Sequence, residues 1–115
     1  MSKTQAELAT AVLRDLGIVN ATDSPSAADS AYVLGKYTTS LEEWADNDLA
    51  YWAANEIPEA IFDAVTALVA NRCMNAFGIG QSLDEQYQRE VVLLRPLRRH
   101  CAKRRSGRPI KAVYY

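Results

Sequence analysis

The sequence predicts an all-α fold, a small bundle of about four helices with an extended C-terminal arm. Three observations carry this expectation. Apolar residues recur at helical spacing in four stretches, each bounded by capping or helix-breaking residues. No stretch alternates apolar and polar residues long enough to mark a sheet. The closing segment "SGRPIKAVYY" abandons the helical pattern at Gly107 and Pro109 and turns β-prone and apolar. The expected division is therefore a helical domain over residues 1–105 and a docking arm over 106–115. A chain of 115 residues fits a single domain with a modest core.

The first helix is announced by "TQAE". The Thr4 side chain can accept from the N–H of Glu7 while the Glu7 carboxylate reaches back, a capping box. Ala9, Val12, Leu13 and Leu16 follow at helical spacing, and Gly17 suits the left-handed residue that ends a helix. "NATDSPS" is dense in turn formers and reads as a loop. The second helix is expected to start with Ser24 as its cap and Pro25 at its first position. Leu34, Tyr37, Leu41 and Trp44 would form its buried stripe, and "DND" at 46–48 would end it.

"LAYWAANEI" (49–57) is apolar and aromatic but short, and it reads as a packed loop. Pro58 would open the third helix. Ile61, Phe62, Val65, Leu68, Val69, Cys73, Ala76 and Phe77 give that helix a broad apolar face, so it should be the central core helix, stopped at "FGIG". Ser82 and Glu85 make a second capping box for the fourth helix. Leu83, Tyr87, Val91, Leu94, Leu97 and Cys101 are expected to line its buried side. Pro96 should kink or divide it near Val92–Pro96.

Charge is unevenly placed. Residues 1–70 hold three basic and eleven acidic side chains, a balance of −8, and residues 71–115 hold ten basic and three acidic, a balance of +7. A chain negative at one end and positive at the other can meet a copy of itself head to tail, and such contacts close into rings when the rotation permits. The longest apolar run, "AVTALVA" (64–70), is far short of a membrane span. The opening "MSKTQAEL" lacks the apolar core of an export signal, and two cysteines without metal or disulfide spacing point to synthesis in a reducing cytoplasm.

No catalytic constellation emerges, and no metal or cofactor is expected. Glu42, Glu43, Asp46 and Asp48 sit at a helix end among turn residues and read as a solvated face rather than an acid–base pair. His100 stands among Arg98, Arg99, Lys103 and Arg104, with no adjacent carboxylate to orient it as a base, and reads as an exposed polar residue. "GIG" (78–80) lacks the flanking elements of a phosphate cradle. Cys73 reads as a small core residue. Tyr51 and Trp52 are amphipathic aromatics in a connector, a composition enriched at protein contacts, and are candidates for an interface with another subunit or partner protein together with Arg98, Arg99, Lys103 and Arg104.

The segment from Arg89 to Lys111 holds nine basic residues against Glu90 alone. As a DNA-binding arm it would bind with steep salt dependence. Three features weigh against that. Half of the run is in register with Leu94, Leu97 and Cys101. The first half of the chain is acidic. The run is followed by "IKAVYY", which is apolar. An extended apolar–aromatic segment can add to another chain's sheet edge or lie in its groove. The favoured reading is a protein-docking strap formed by Arg108, Pro109, Ile110, Lys111, Ala112, Val113, Tyr114 and Tyr115, with a small helical DNA-binding regulator using residues 89–111 as the alternative.

The order of "ELATAVLRDLGIV", "LEEWADND" and "IPEAIFDAVTALVANRCMNAFGI" resembles the small helical head-to-tail connector proteins of tailed bacteriophages, in particular the P22-type tail accessory, or head completion, group. The resemblance covers most of residues 5–80 and lies in order and spacing rather than in any one motif. It implies a non-enzymatic structural adaptor of the virion, made in the host cytoplasm and placed at the capsid portal vertex. It implies a ring, typically twelve-fold, beneath the portal protein. Such a ring extends the DNA channel, helps retain packaged DNA without reading its sequence, and offers a platform to a tail or second connector protein. In this group a C-terminal extension reaches the portal, which would give residues 108–115 that role. The chain stops short of longer members, so any role of a longer C-terminal region does not carry over.

Overall fold

Helix α1 (Gln5–Asp15) begins at the capping box expected for it. In the computed structural model, which describes residues 2–20 and 22–106, Thr4 Oγ1 accepts from Glu7 N at 3.2 Å. Glu7 Oε1 in turn accepts from Thr4 N at 2.9 Å. The helix ends in a Schellman motif. Gly17 N donates to Arg14 O and Ile18 N to Leu13 O, both at 3.0 Å, with Gly17 at φ 75°.

Helix α2 (Ala27–Asp46) starts two residues later than expected. Ser26, not Ser24, is the cap, because its Oγ accepts from Asp29 N at 3.1 Å; Pro25 stays outside the helix. Its buried residues are Val33, Tyr37, Ser40 and Trp44, so the stripe is rotated from the expected one and Leu34 and Leu41 lie on its flanks. The helix ends at Asp46, as "DND" implies. Asp48 takes φ 59° and closes a second Schellman motif, with Leu49 N donating to Trp44 O at 2.7 Å.

The connector 49–56 is a loop, and a two-residue antiparallel ladder follows it. Strand β1 (Ser2–Lys3) pairs with β2 (Ile57–Pro58), with Ser2 opposite Pro58 and Lys3 opposite Ile57. Pro58 therefore ends a strand instead of opening a helix. A 3-10 turn (Glu59–Ile61) then leads into α3 (Phe62–Cys73). A second 3-10 turn (Met74–Phe77) stops at Gly78, φ 81°. Helix α4 (Leu83–Ser106) begins at the expected Ser82–Glu85 capping box. It runs unbroken through Pro96, so the expected division does not occur.

Helix α3 is the centre. It packs on α1, α2 and α4 alike. Val65, Thr66, Leu68, Val69, Ala70, Asn71 and Cys73 are buried around its circumference. α4 closes the core with Leu97 and Cys101, while Leu93 and Leu94 pack at its edge. The expected buried side of α4 is wrong in its first half: Leu83 is 77% exposed, Tyr87 71% and Val91 44%. The physical reason lies between α2 and α4, where polar side chains occupy the seam. Arg72, from α3, donates from Nε and Nη2 to the two oxygens of Glu90 at 2.8 Å, and from Nη1 and Nη2 to the two oxygens of Glu43 at 3.1 Å. Ser40 Oγ accepts a further bond from Arg72 at 3.0 Å. With this network lining the seam, the apolar residues beside it meet a largely polar wall.

Candidate protein-interaction surfaces

Tyr37 sets the connector. Its hydroxyl donates to Ala54 O at 2.9 Å and accepts from Trp52 Nε1 at 3.1 Å. Trp52 is thereby drawn into the core, 8% exposed, with its polar atom satisfied. As the subunit stands, Trp52 offers a partner almost no surface. Tyr51, its neighbour, stays outside and packs edge-on against it at 5.4 Å between centroids.

Tyr51 joins the connector to α4. Its ring stacks on His100 at 5.7 Å, its hydroxyl lies 2.8 Å from His100 Nε2, and the Arg104 guanidinium stands 3.8 Å from its ring centroid. His100 and Arg104 are one turn apart, so both reach the same ring. His100 is thus half-buried and engaged, not the exposed polar residue expected. The structure brings Tyr51, from the connector, together with Arg104, 53 residues later, and leaves Arg98, Arg99 and Lys103 exposed along α4. The proposed strap, Arg108 to Tyr115, lies outside the described residues.

A second surface escaped the sequence reading. Two hollows of about 400 and 420 Å³ lie between α2 and α4 and share Tyr87 and Glu90. Lys36, Thr39 and Ser40 face Leu83 and Gln86 in one; Glu43, Trp44 and Asn47 face Val91, Leu94 and Arg98 in the other. The matching order shows that α2 and α4 run side by side in the same direction. The missed signal was polar: Lys36, Thr39, Glu43 and Asn47 recur at helical spacing and make a flank on which Leu83 and Tyr87 could not bury.

Electrostatics at the seam follow from Arg72. Its hydrogen bonds hold the Glu43 carboxyl below its usual 4.5. At the chemistry-bearing thiol the effect is opposite, for burial pushes Cys73 up to about 11, which keeps it protonated and inert as expected of a core cysteine. Among the described residues no group of three or more His, Cys, Asp or Glu side chains could hold a metal ion, and no helix is long and apolar enough to cross a membrane.

No protein-family model matches this sequence, and no curated protein or solved structure is significantly similar to it. The functional reading therefore rests on the residues and surfaces themselves, together with the resemblance in motif order.

Proposed function

We propose that the chain is a structural adaptor, a ring subunit of a tailed-phage head-to-tail connector that binds portal and tail proteins. The observation that carries this reading is the unequal charge of the exposed helix faces. The second half of α4 exposes Arg95, Arg98, Arg99, Lys103 and Arg104, whereas α1 and α2 expose Glu7, Asp15, Glu42 and Asp46. One small body with a basic helix face and acidic ones suits repeated head-to-tail contact between copies. In this reading the helical body supplies lateral contacts, DNA passes through the ring without sequence readout, and Arg108–Tyr115 grips the portal.

Truncation tests the strap. Among the described residues every member of the apolar core precedes residue 102, so a chain ending at Ser106 should keep its helical circular dichroism. It should lose co-purification with the portal ring, and the intact chain should add density beneath that ring in electron micrographs. Full portal binding by the truncated chain would refute the strap.

The same exposed basic row favours a second reading, a small DNA-binding regulator. A mobility-shift titration over salt separates the two. Tight binding by the isolated subunit that falls steeply with salt supports the regulator; weak binding at all salt concentrations supports the adaptor.

A further inference from the structure

A ridge and a shelf of similar length lie on the outside of this subunit. The ridge is Leu83, Tyr87 and Val91, which repeat at one-turn spacing along α4 and are exposed. The groove beside it includes Trp44 in its wall, and the indole N–H of Trp44 has no hydrogen-bond partner. The shelf is the outward side of α2, where Ala31, Gly35 and Thr38 are exposed and small.

Gly35 is the telling residue. Mid-helix glycine costs about 1 kcal/mol relative to alanine. A Cβ placed there would meet nothing within 4 Å, so the subunit's own packing does not require its absence. Glycine does suit a place where another surface approaches a backbone closely.

Charge says which surface that is. Past the ridge α4 continues with exposed Arg95 and Arg98, and past the shelf α2 continues with exposed Glu42 and Asp46. Leu83 to Arg98 and Ala31 to Asp46 each span about 22 Å of helix. We propose that the Leu83–Tyr87–Val91 ridge packs on the Ala31–Gly35–Thr38 shelf of a second copy of this chain, the two helices running in the same direction, so that Arg95 and Arg98 meet Glu42 and Asp46. The opposite direction would set Asp84 and Glu85 against those same carboxylates, which repel. Because ridge and shelf are different surfaces of one subunit, the contact is heterologous and leaves a free ridge and a free shelf at the ends of every chain of copies. The inference rests on the head-to-tail association proposed above and names the faces that meet.

Sedimentation equilibrium of the full chain, over a wide concentration range at low and high salt, tests it. The expected result is self-association that weakens as salt screens the charged contacts. Gly35→Gln should raise the thermal midpoint of the monomer, because glutamine is the better helix former, yet weaken association by about tenfold or more. Misfolding cannot produce that pair of opposite effects. Tyr87→Ser should weaken association similarly. The double variants Glu42→Arg/Asp46→Arg and Arg95→Glu/Arg98→Glu should each fail to associate alone and should assemble when mixed. Self-association untouched by all of these variants overturns the assignment of faces and leaves head-to-tail assembly standing. A chain monomeric at every concentration and salt overturns both.

Discussion

Arg72 shows how one side chain decides the shape of a surface. It sits at the end of α3, 17% exposed, and holds Glu43 of α2 and Glu90 of α4 at once. Its planar guanidinium presents paired donors to each carboxylate, a geometry lysine cannot copy. Removing it leaves two carboxylates facing one another across the seam. Arg72→Met should cost about 2 kcal/mol in urea unfolding, most of it from the half-buried Glu90 contact, since solvent screens the more exposed Glu43. Arg72→Lys should recover little of this. The pH dependence has a definite sign. Glu43 is depressed in the folded state, so it favours folding above the ordinary carboxylate value and that contribution disappears as pH falls below about 4.5. The stability gap between the wild type and Arg72→Met should therefore narrow as pH is lowered through that region, and a gap independent of pH would show that the ion pair contributes nothing. Cys73 supplies a separate test. Buried, with its thiol pushed up to about 11, it should react with a thiol reagent at neutral pH only as fast as the protein opens. Prompt labelling in the folded state would contradict its place in the core.

Helices α1 and α2 and the second 3-10 turn are stopped by residues that tolerate a left-handed backbone: Gly17, Asp48 and Gly78. Gly17→Ala isolates that effect. A Cβ there would meet nothing within 4 Å, so no clash contributes and the cost is conformational alone. A loss of about 1 kcal/mol is expected, read as a lower urea midpoint with an unchanged slope. The capping boxes of α1 and α4 were legible because a cap needs only a side chain and a backbone three residues away. The start of α2 was not, because "SPSAAD" holds two serines and only the local backbone selects Ser26. The unbroken course of α4 through Pro96 likewise depends on packing: Leu93, Leu94 and Leu97 bind the helix to the body on both sides of the missing hydrogen bond.

At the scale of the molecule, a basic face lies on α4 and acidic faces lie on α1 and α2, and this arrangement gives the adaptor reading its physical content. The charge split was visible along the chain; which of those charges stay exposed, and beside what, follows only from the way the helices pack. If the charged sides drive assembly, raising salt should dissociate copies while leaving the thermal midpoint of the monomer nearly unchanged, since exposed charges contribute little to folding. Light scattering and a thermal melt at two salt concentrations measure both. A midpoint that falls together with association would mean that salt acts on the fold itself.

Sequence alone was sufficient for the class of fold, the number of long helices, the central position of α3, the inert Cys73 and the uneven charge. These depend on periodicity, capping and composition, which are local properties. Tertiary structure decided which apolar residues are buried. Trp52 went inside because Tyr37, fifteen residues earlier, supplies its hydrogen bond. Leu83, Tyr87 and Val91 stayed outside because the helix beside them presents a polar flank, bridged by Arg72. An apolar stripe records a helix's need for a partner, but only the assembled bundle determines whether its own chain provides one.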